Sequence, residues 1–490
     1  MPVGGTPNPV VRRGRPVGER RRARAAVLES APLAARGWSR GLLLAVLVWV
    51  LELGAAAIAR AEDETRDATP PESEDLWTRS HVIPDWGGYR ASLDQQGVAF
   101  EIVYTGDFMS NPVGGLDQES EYLGNLDMTL TWQTEALLGV DLGTFFVYGL
   151  WNHGNGPSRH VGDTQGVDNI EAPSTIKLYE GWWQRSLFDG KASILLGLYD
   201  VNSEFYVLES AEVFIHSSFG IGAELGTTGI NGPSIFPTTS LGARVKVEPV
   251  RGYVLQAAVL DGVPGDPRRP NGTHVRFGDD DGVFFIAEAS YHRDRRRHEE
   301  GEGASRAAQR RRVGRGWDQP PVVGRIALGT WLYSDRLPHV ERVDASGDPV
   351  TTHGRPGLYL VAEYDAARLD PLDATGLSVF LQLGWADGDV AQFEGYTGAG
   401  FKYTGLIPGR PADELGLGVA VGYNGSAFDR AARDAGDRPA VAEIAVEWTY
   451  RAWLTPWLSL QADLQYVANP GGLKNRSDAL VAGLRYTLSF

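Results

Sequence analysis

The chain has no cysteine. An exported protein without disulfides must find its stability elsewhere, and a closed barrel supplies it through strand pairing. Histidine is scarce, with nine scattered residues and no metal-ligand spacing. The motifs G-x-S-x-G, H-E-x-x-H and the P-loop are absent. The sequence therefore offers no enzyme signature and calls for no metal or cofactor. Beyond residue 61 no stretch approaches the roughly eighteen unbroken apolar residues that a spanning helix needs. Basic charge is also short: 46 Lys and Arg stand against 62 Asp and Glu, a net charge of −16. Nucleic-acid binders carry basic surfaces, so this balance argues against a nucleic-acid partner.

What basic charge there is gathers first at the front. Arginines between Arg12 and Arg40 precede an apolar run at 41–53 and the small-residue motif Ala59-Arg60-Ala61. That order predicts a secretory signal over 1–61, removed before Glu62. A retained anchor fits less well, because the apolar run is short and carries Glu52. Those residues hold ten basic and three acidic side chains, so the remainder carries a net charge of −23. Residues 62–96 read as an acidic, Pro-containing stretch ending in a short periplasmic helix over 86–96, with Tyr89 and Leu93 on one side.

The end of the chain is the most informative part. In 442–451, Ile444, Val446, Trp448 and Tyr450 share one face, and Glu443, Glu447, Thr449 and Arg451 the other. In 458–467, Leu458, Leu460, Leu464 and Tyr466 oppose Ser459, Gln461, Asp463 and Gln465. In 480–490, Leu484, Tyr486, Leu488 and Phe490 oppose Arg485, Thr487 and Ser489. A period of two marks a strand with one apolar and one wetted side. Segments of about ten residues with aromatics near their ends suit strands tilted across a bilayer. The alternative for one such segment taken alone is a strand of a soluble sandwich, which fits less well.

Sixteen such strands are expected, near 97–107, 122–135, 142–152, 174–187, 191–201, 239–249, 252–262, 282–292, 322–334, 357–366, 376–386, 397–406, 413–424, 439–450, 456–467 and 479–490. An even count suits a bacterial single-chain barrel. The fold class is thus all-β: a sixteen-stranded antiparallel transmembrane β-barrel over 97–490. The connections 108–121, 153–173, 202–238, 263–281, 335–356, 387–396, 425–438 and 468–478 should lie outside and be long. Those between should be tight, as Phe188-Asp189-Gly190 is by composition. The connection 292–321 breaks the alternation, being long and Arg-rich. It reads as a disordered basic insertion, or as a contact for an anionic periplasmic partner. Residues 217–229 have some strand character but are assigned to the 202–238 loop.

Several stretches, in their order and spacing, resemble the carbohydrate-selective porins of the OprB type. They are WGGYRASLDQQGVAFEIVY, LYEGWWQRSLFDGKASILLGLYDVNSEF, LGARVKVEPVRGYVLQAAVLDGVPGD, GTWLYSD, TGLIPGRPADELGLGV and the tail EIAVEWTYRAWLTPWLSLQADLQYVANPGG with ALVAGLRYTLSF. Together they run from about Trp86 to Phe490. The resemblance implies a sixteen-stranded channel passing sugars through the outer membrane of a Gram-negative bacterium, embedded in its lipid, with a homotrimer as the assembly. It also implies that the strand-final Phe490 is the signal read by the outer-membrane assembly machinery.

A sixteen-stranded barrel leaves an aqueous channel that something must narrow. The longest loop, 202–238, stands where general porins fold a loop inward, and it carries Glu204, Tyr206 and Glu209. Carboxylates there can accept sugar hydroxyl protons, and rings can cover sugar C–H faces. The alternative is a loop lying over the mouth with its aromatics packed as core. Parity places Arg244, Lys246, Glu288, Glu363, Lys402, Glu443, Glu447, Arg451 and Arg485 inward, since a charge facing lipid at mid-bilayer costs roughly 2–4 kcal/mol. Most of these should be paired or solvated. Glu180 and Trp182 share a face of the fourth strand and are pore-wall candidates. Trp132, Tyr148, Trp331, Trp385, Trp448, Trp453, Trp457, Tyr466 and Tyr486 are expected in the interfacial girdle. Two other functions fit the residues less closely: a non-channel barrel such as an adhesin, and a secreted β-rich carbohydrate hydrolase using paired carboxylates.

Overall fold

The computed structural model of the chain describes residues 76–77, 79–83, 88–279, 281–293, 324–368 and 375–490. The expected signal segment and almost all of the basic connection 292–321 fall outside these residues.

Eighteen strands are present among them: β1 (Val98–Gly115), β2 (Ser120–Gln133), β3 (Thr144–Gly154), β4 (Thr175–Leu187), β5 (Ala192–Tyr199), β6 (Ser240–Val250), β7 (Tyr253–Asp261), β8 (Val283–Arg293), β9 (Gly324–Tyr333), β10 (Arg336–Val343), β11 (Pro349–His353), β12 (Gly357–Arg368), β13 (Gly376–Trp385), β14 (Phe393–Thr404), β15 (Glu414–Asn424), β16 (Ala442–Thr455), β17 (Leu458–Ala468) and β18 (Ser477–Ser489). All except β10 and β11 form one closed antiparallel barrel of neighbouring strands, sealed where β1 pairs with β18 from Val103↔Ser489 to Ser110↔Ala482. Closure leaves no unpaired strand edge, as hydrocarbon demands of any spanning sheet. Sixteen strands are what the alternation and turn spacing predict.

The inner and outer faces follow the sequence period. Along β17, Ser459, Gln461, Asp463 and Gln465 are buried toward the interior, while Leu460, Leu464 and Tyr466 are exposed on the outside. Along β16, Glu443, Glu447 and Thr449 point in, and Trp448 out. No helix among the described residues is long and apolar enough to cross a membrane. At the rim where β18 ends, the helix Tyr89–Gln95 precedes β1, and the Arg90 guanidinium donates to the carbonyl oxygen of Phe490 at 2.7 Å.

The structure corrects the expected layout in three places. The first outer connection is short, because β1 runs to Gly115 and β2 begins at Ser120; both strands outrun a bilayer's thickness. The connection 335–356 contains the β10–β11 hairpin, and 425–438 contains the helix Ser426–Asp434. These last two elements meet through Arg430, whose Nε donates to both Glu341 oxygens at 2.9 Å.

Candidate functional site: a barrel lumen narrowed by two loops

The loop 202–238 lies inside the barrel. Its irregular backbone cannot satisfy its own N–H groups, and unpaired buried donors are costly. Carboxylates on the wall accept them. Tyr206 N donates to Glu288 on β8 at 3.0 Å. Ser210 donates to Glu363 on β12 through both N and Oγ, each at 2.9 Å. Ile215 N and His216 N donate to the two oxygens of Glu447 on β16 at 2.7 and 2.9 Å. Uncharged wall groups complete the path. Gln256 and Gln461 donate to Glu204 O and Val213 O at 2.8 and 2.6 Å, and Tyr396 OH donates to Ser218 O at 2.7 Å. The loop thus crosses the lumen from β7 to β17 and returns past β14.

Apolar packing locks this path. Phe205, Phe214, Phe219 and Leu225 of the loop bury against Phe284, Trp331, Tyr359, Phe380 and Tyr396 of the wall. Each such side chain contributes about 1.5–3 kcal/mol when fully buried. The wall is thinned to admit them. A Cβ at Gly416 would run into Val213, one at Gly418 into the Phe219 ring, and one at Gly384 would overlap the Glu224 carboxyl.

The connection 153–173 also enters the lumen. Thr164 N and Gln165 N donate to Glu443 at 3.0 and 2.9 Å, and Gln465 holds Val167 O at 2.8 Å. The two inserted loops join directly, through Asn169 N to Ile215 O and Ser217 N to Gly166 O, both at 2.9 Å.

The expected pore residues separate into three groups. Glu288, Glu363 and Glu447 are fastened to loop backbone, as is Glu443. Tyr206 belongs to the same anchoring: it sits at φ 65°, fully buried, with its hydroxyl donating to Glu224 at 3.1 Å. Their surroundings show anchors in place of the wall charges that parity predicts. The second group is ionic. Arg244 grips Glu204 with Nε at 2.7 Å and Nη2 at 3.0 Å, and Lys246 Nζ lies 3.5 Å from the same carboxylate. Burial acts to raise the Glu204 pKa, but Arg244 and Lys246 outweigh it and hold it at about 2. Lys402 pairs with Glu414 at 3.2 Å and approaches Glu209 O at 3.4 Å. Arg485 holds Asp107 at 2.6 Å and reaches Asp168 and Asn169 of the 153–173 loop.

The third group is local to β4. An irregularity in the β3–β4 pairing leaves Tyr179 without an opposite residue, so Tyr179 and Glu180 both turn inward. Glu180 is fully buried and accepts from Trp182 Nε1 at 3.1 Å. Trp182 packs on Phe146 with ring centroids 4.8 Å apart. Both are wall core.

Two aromatics expected in the girdle face inward instead. Tyr148 donates its hydroxyl to Asp127 at 2.5 Å, and Trp331 lies against Tyr359. The inserted loop makes the interior a packed core, so apolar side chains are stable on both faces. Trp385, Trp448 and Tyr466 do lie on the outer face. Sequence reasoning did not assign Asp107, Arg325 or Glu224 to the interior network. Parity with Glu288 and Arg485 on paired strands was the available signal for the first two.

Anchoring gives a direct test. Glu447→Ala leaves two buried N–H groups without acceptors, each worth about 1–3 kcal/mol. Hydrogen exchange should accelerate at Ile215 and His216 while barrel amides stay protected. Unchanged protection at both positions would refute the anchor.

Comparison with known proteins agrees with this geometry. The family described as "Carbohydrate-selective porin, OprB family" matches residues 117–490. The chain belongs to this family. Porin B of Pseudomonas aeruginosa is 23% identical over 439 residues, covering 84% of this chain and 91% of that one. Among solved structures, the high-pH structure of Pseudomonas putida OprB superposes with a TM-score of 0.70 at 20% identity, covering 85% of this chain and all of that one. Its low-pH structure gives a TM-score of 0.51 at 18% identity, covering 84% and 99%. These superpositions support the barrel fold. This OprB-family porin is an outer-membrane sugar channel.

Proposed function

We propose that the channel passes monosaccharides such as glucose by passive diffusion, and that the 202–238 loop sets the narrowing. One observation carries this reading: three wall carboxylates, Glu288, Glu363 and Glu447, bind the loop backbone from inside the barrel. Lys246 and Lys402 keep part of their side chains accessible beside that loop, with Glu204 and Glu414 as counter-charges, Arg451 shares Glu414 on the wall, and Arg485 with Asp107 lies beside the 153–173 loop. Ammonium and guanidinium donors beside carboxylate acceptors complement the paired donor and acceptor character of sugar hydroxyls. Contacts of this kind, few and partly solvated, are weak enough to permit release. Glu180, Trp182 and Tyr206 shape the wall and leave recognition to others. In the same reading Phe490, whose N–H donates to Ile102 O at 2.9 Å, presents the chain end to the assembly machinery.

The test is liposome swelling with a graded set of mono- and oligosaccharides. Rates should fall steeply between one and two sugar units, and more steeply than for polyols of matched size. Equal rates for sugars and size-matched polyols would leave only a sieve.

A further inference from the structure

Three outer connections border an open pocket of about 270 Å³, lined by Pro173, by 226–238 of the inserted loop and by 265–274. The 263–281 loop folds back over the barrel rim to reach β4. Gly272 N donates to Thr175 Oγ1 at 2.7 Å, and Thr273 Oγ1 donates to Leu178 O at 2.8 Å. That return borders the space between this loop and the 233–238 end of the inserted loop. The volume lies just below the roughly 300–1,000 Å³ of drug-sized sites, and corresponds to about nine waters. A space of that size is of the order of one pyranose ring.

The lining has two characters. Phe236, Pro237 and Pro270 give an apolar wall. Opposed chemistry comes from Thr238, Asp266 and Arg269. Asp266 Oδ1 is occupied by Arg268 N at 3.1 Å and by Arg276 at 3.0 Å, and Oδ2 has no donor among the described residues. Arg269 is exposed, with no carboxylate partner among the described residues. Thr238 Oγ1 accepts from Lys177 Nζ at 3.3 Å, so its own proton is left to donate elsewhere. Lys177 itself is buried, with Pro237 O at 2.7 Å as its nearer acceptor and no carboxylate beside it among the described residues. A free acceptor, two free donors and an apolar wall are the complement of one sugar ring, with its hydroxyl edge and its C–H face.

We propose that this cavity is an outer-mouth docking site for a single pyranose unit, occupied before the sugar enters the narrowed lumen. The inference rests on the sugar-channel reading and adds a second site to it. Its use would be at low sugar concentration, where capture limits flux.

The experiment measures D-glucose influx into proteoliposomes over a wide concentration range, with folded barrels verified by heat-modifiable gel migration. Asp266→Asn with Arg269→Ala should raise the half-saturating concentration by about tenfold, the loss expected for charged hydrogen bonds. Thr238→Val, made separately, should shift it in the same direction. A half-saturating concentration unmoved in both folded variants overturns the docking site and leaves the channel reading intact. Proteoliposomes of the unaltered protein that conduct ions but admit no hexose overturn both.

Discussion

Deleting residues 206–236 is expected to raise single-channel conductance severalfold and to flatten discrimination among sugars. The loop spans the lumen from β7 to β17, and its Phe214 and Phe219 fill space that water would otherwise occupy. A sixteen-stranded barrel without such a plug is an open aqueous channel. The deletion also strands Glu288, Glu363 and Glu447 without their N–H donors. In the emptied barrel they meet water, so the cost is paid in solvation rather than in unfolding. Planar-bilayer recording before and after deletion reads the conductance. Unchanged conductance in a folded variant would show that the 153–173 loop alone sets the narrowing.

Raising the pH from about 5 to about 9 is expected to loosen the same loop around Glu224. This side chain is fully buried between Tyr206 and Tyr396, and burial pushes its pKa up to about 8 from the ordinary 4.5. Between those two values the docked loop holds a proton that the undocked loop has released. The Glu224 contribution to docking is therefore fully present below about pH 4.5 and is lost as pH rises through 8. At about 1.4 kcal/mol per unit, the withdrawn stability is of the order of several kcal/mol. Glu204, held near 2 against an ordinary 4.5, and His216, held near 3 against 6.5, favour docking as pH rises to about 6.5 and oppose Glu224 there, so the loosening is read above about pH 7. Asp163, in the neighbouring loop, is raised by its own burial and by Glu443 and adds to the trend. Hydrogen exchange at 222–228, corrected for intrinsic rates, should lose protection with pH in the unaltered protein. Glu224→Gln should hold protection at about pH 9. An identical pH response in that variant would sink the assignment.

Much of the barrel was legible because two independent signals agreed. Alternation placed Glu443, Glu447 and Arg485 inside, and the cost of a charge in lipid pointed the same way. Loop length and position after the fifth strand pointed to 202–238. What alternation could not show was the partner of each inward charge. Glu447 and Ile215 lie 232 residues apart, and the donor is a backbone N–H that carries no residue signature. Hence the acids read as pore wall, when geometry makes them fasteners. Tyr148 and Trp331 were misplaced for a related reason. An inserted loop turns part of the lumen into a dry core, so an inward ring no longer breaks the pattern. The irregularity at Tyr179 was equally hidden, since one extra residue shifts parity for everything after it. The glycines at 384, 416 and 418 were visible as small residues at inward positions, but their meaning required knowing what pressed against them.

The fastening of the loop to opposite sides of the wall constrains how such a channel can change over generations. A substitution that reroutes the loop orphans a carboxylate on a distant strand, and a substitution of that carboxylate unpins the loop. Permissive routes to a new cargo must therefore move in pairs, one change on each partner, or else begin at residues such as Lys246 whose neighbours already include water.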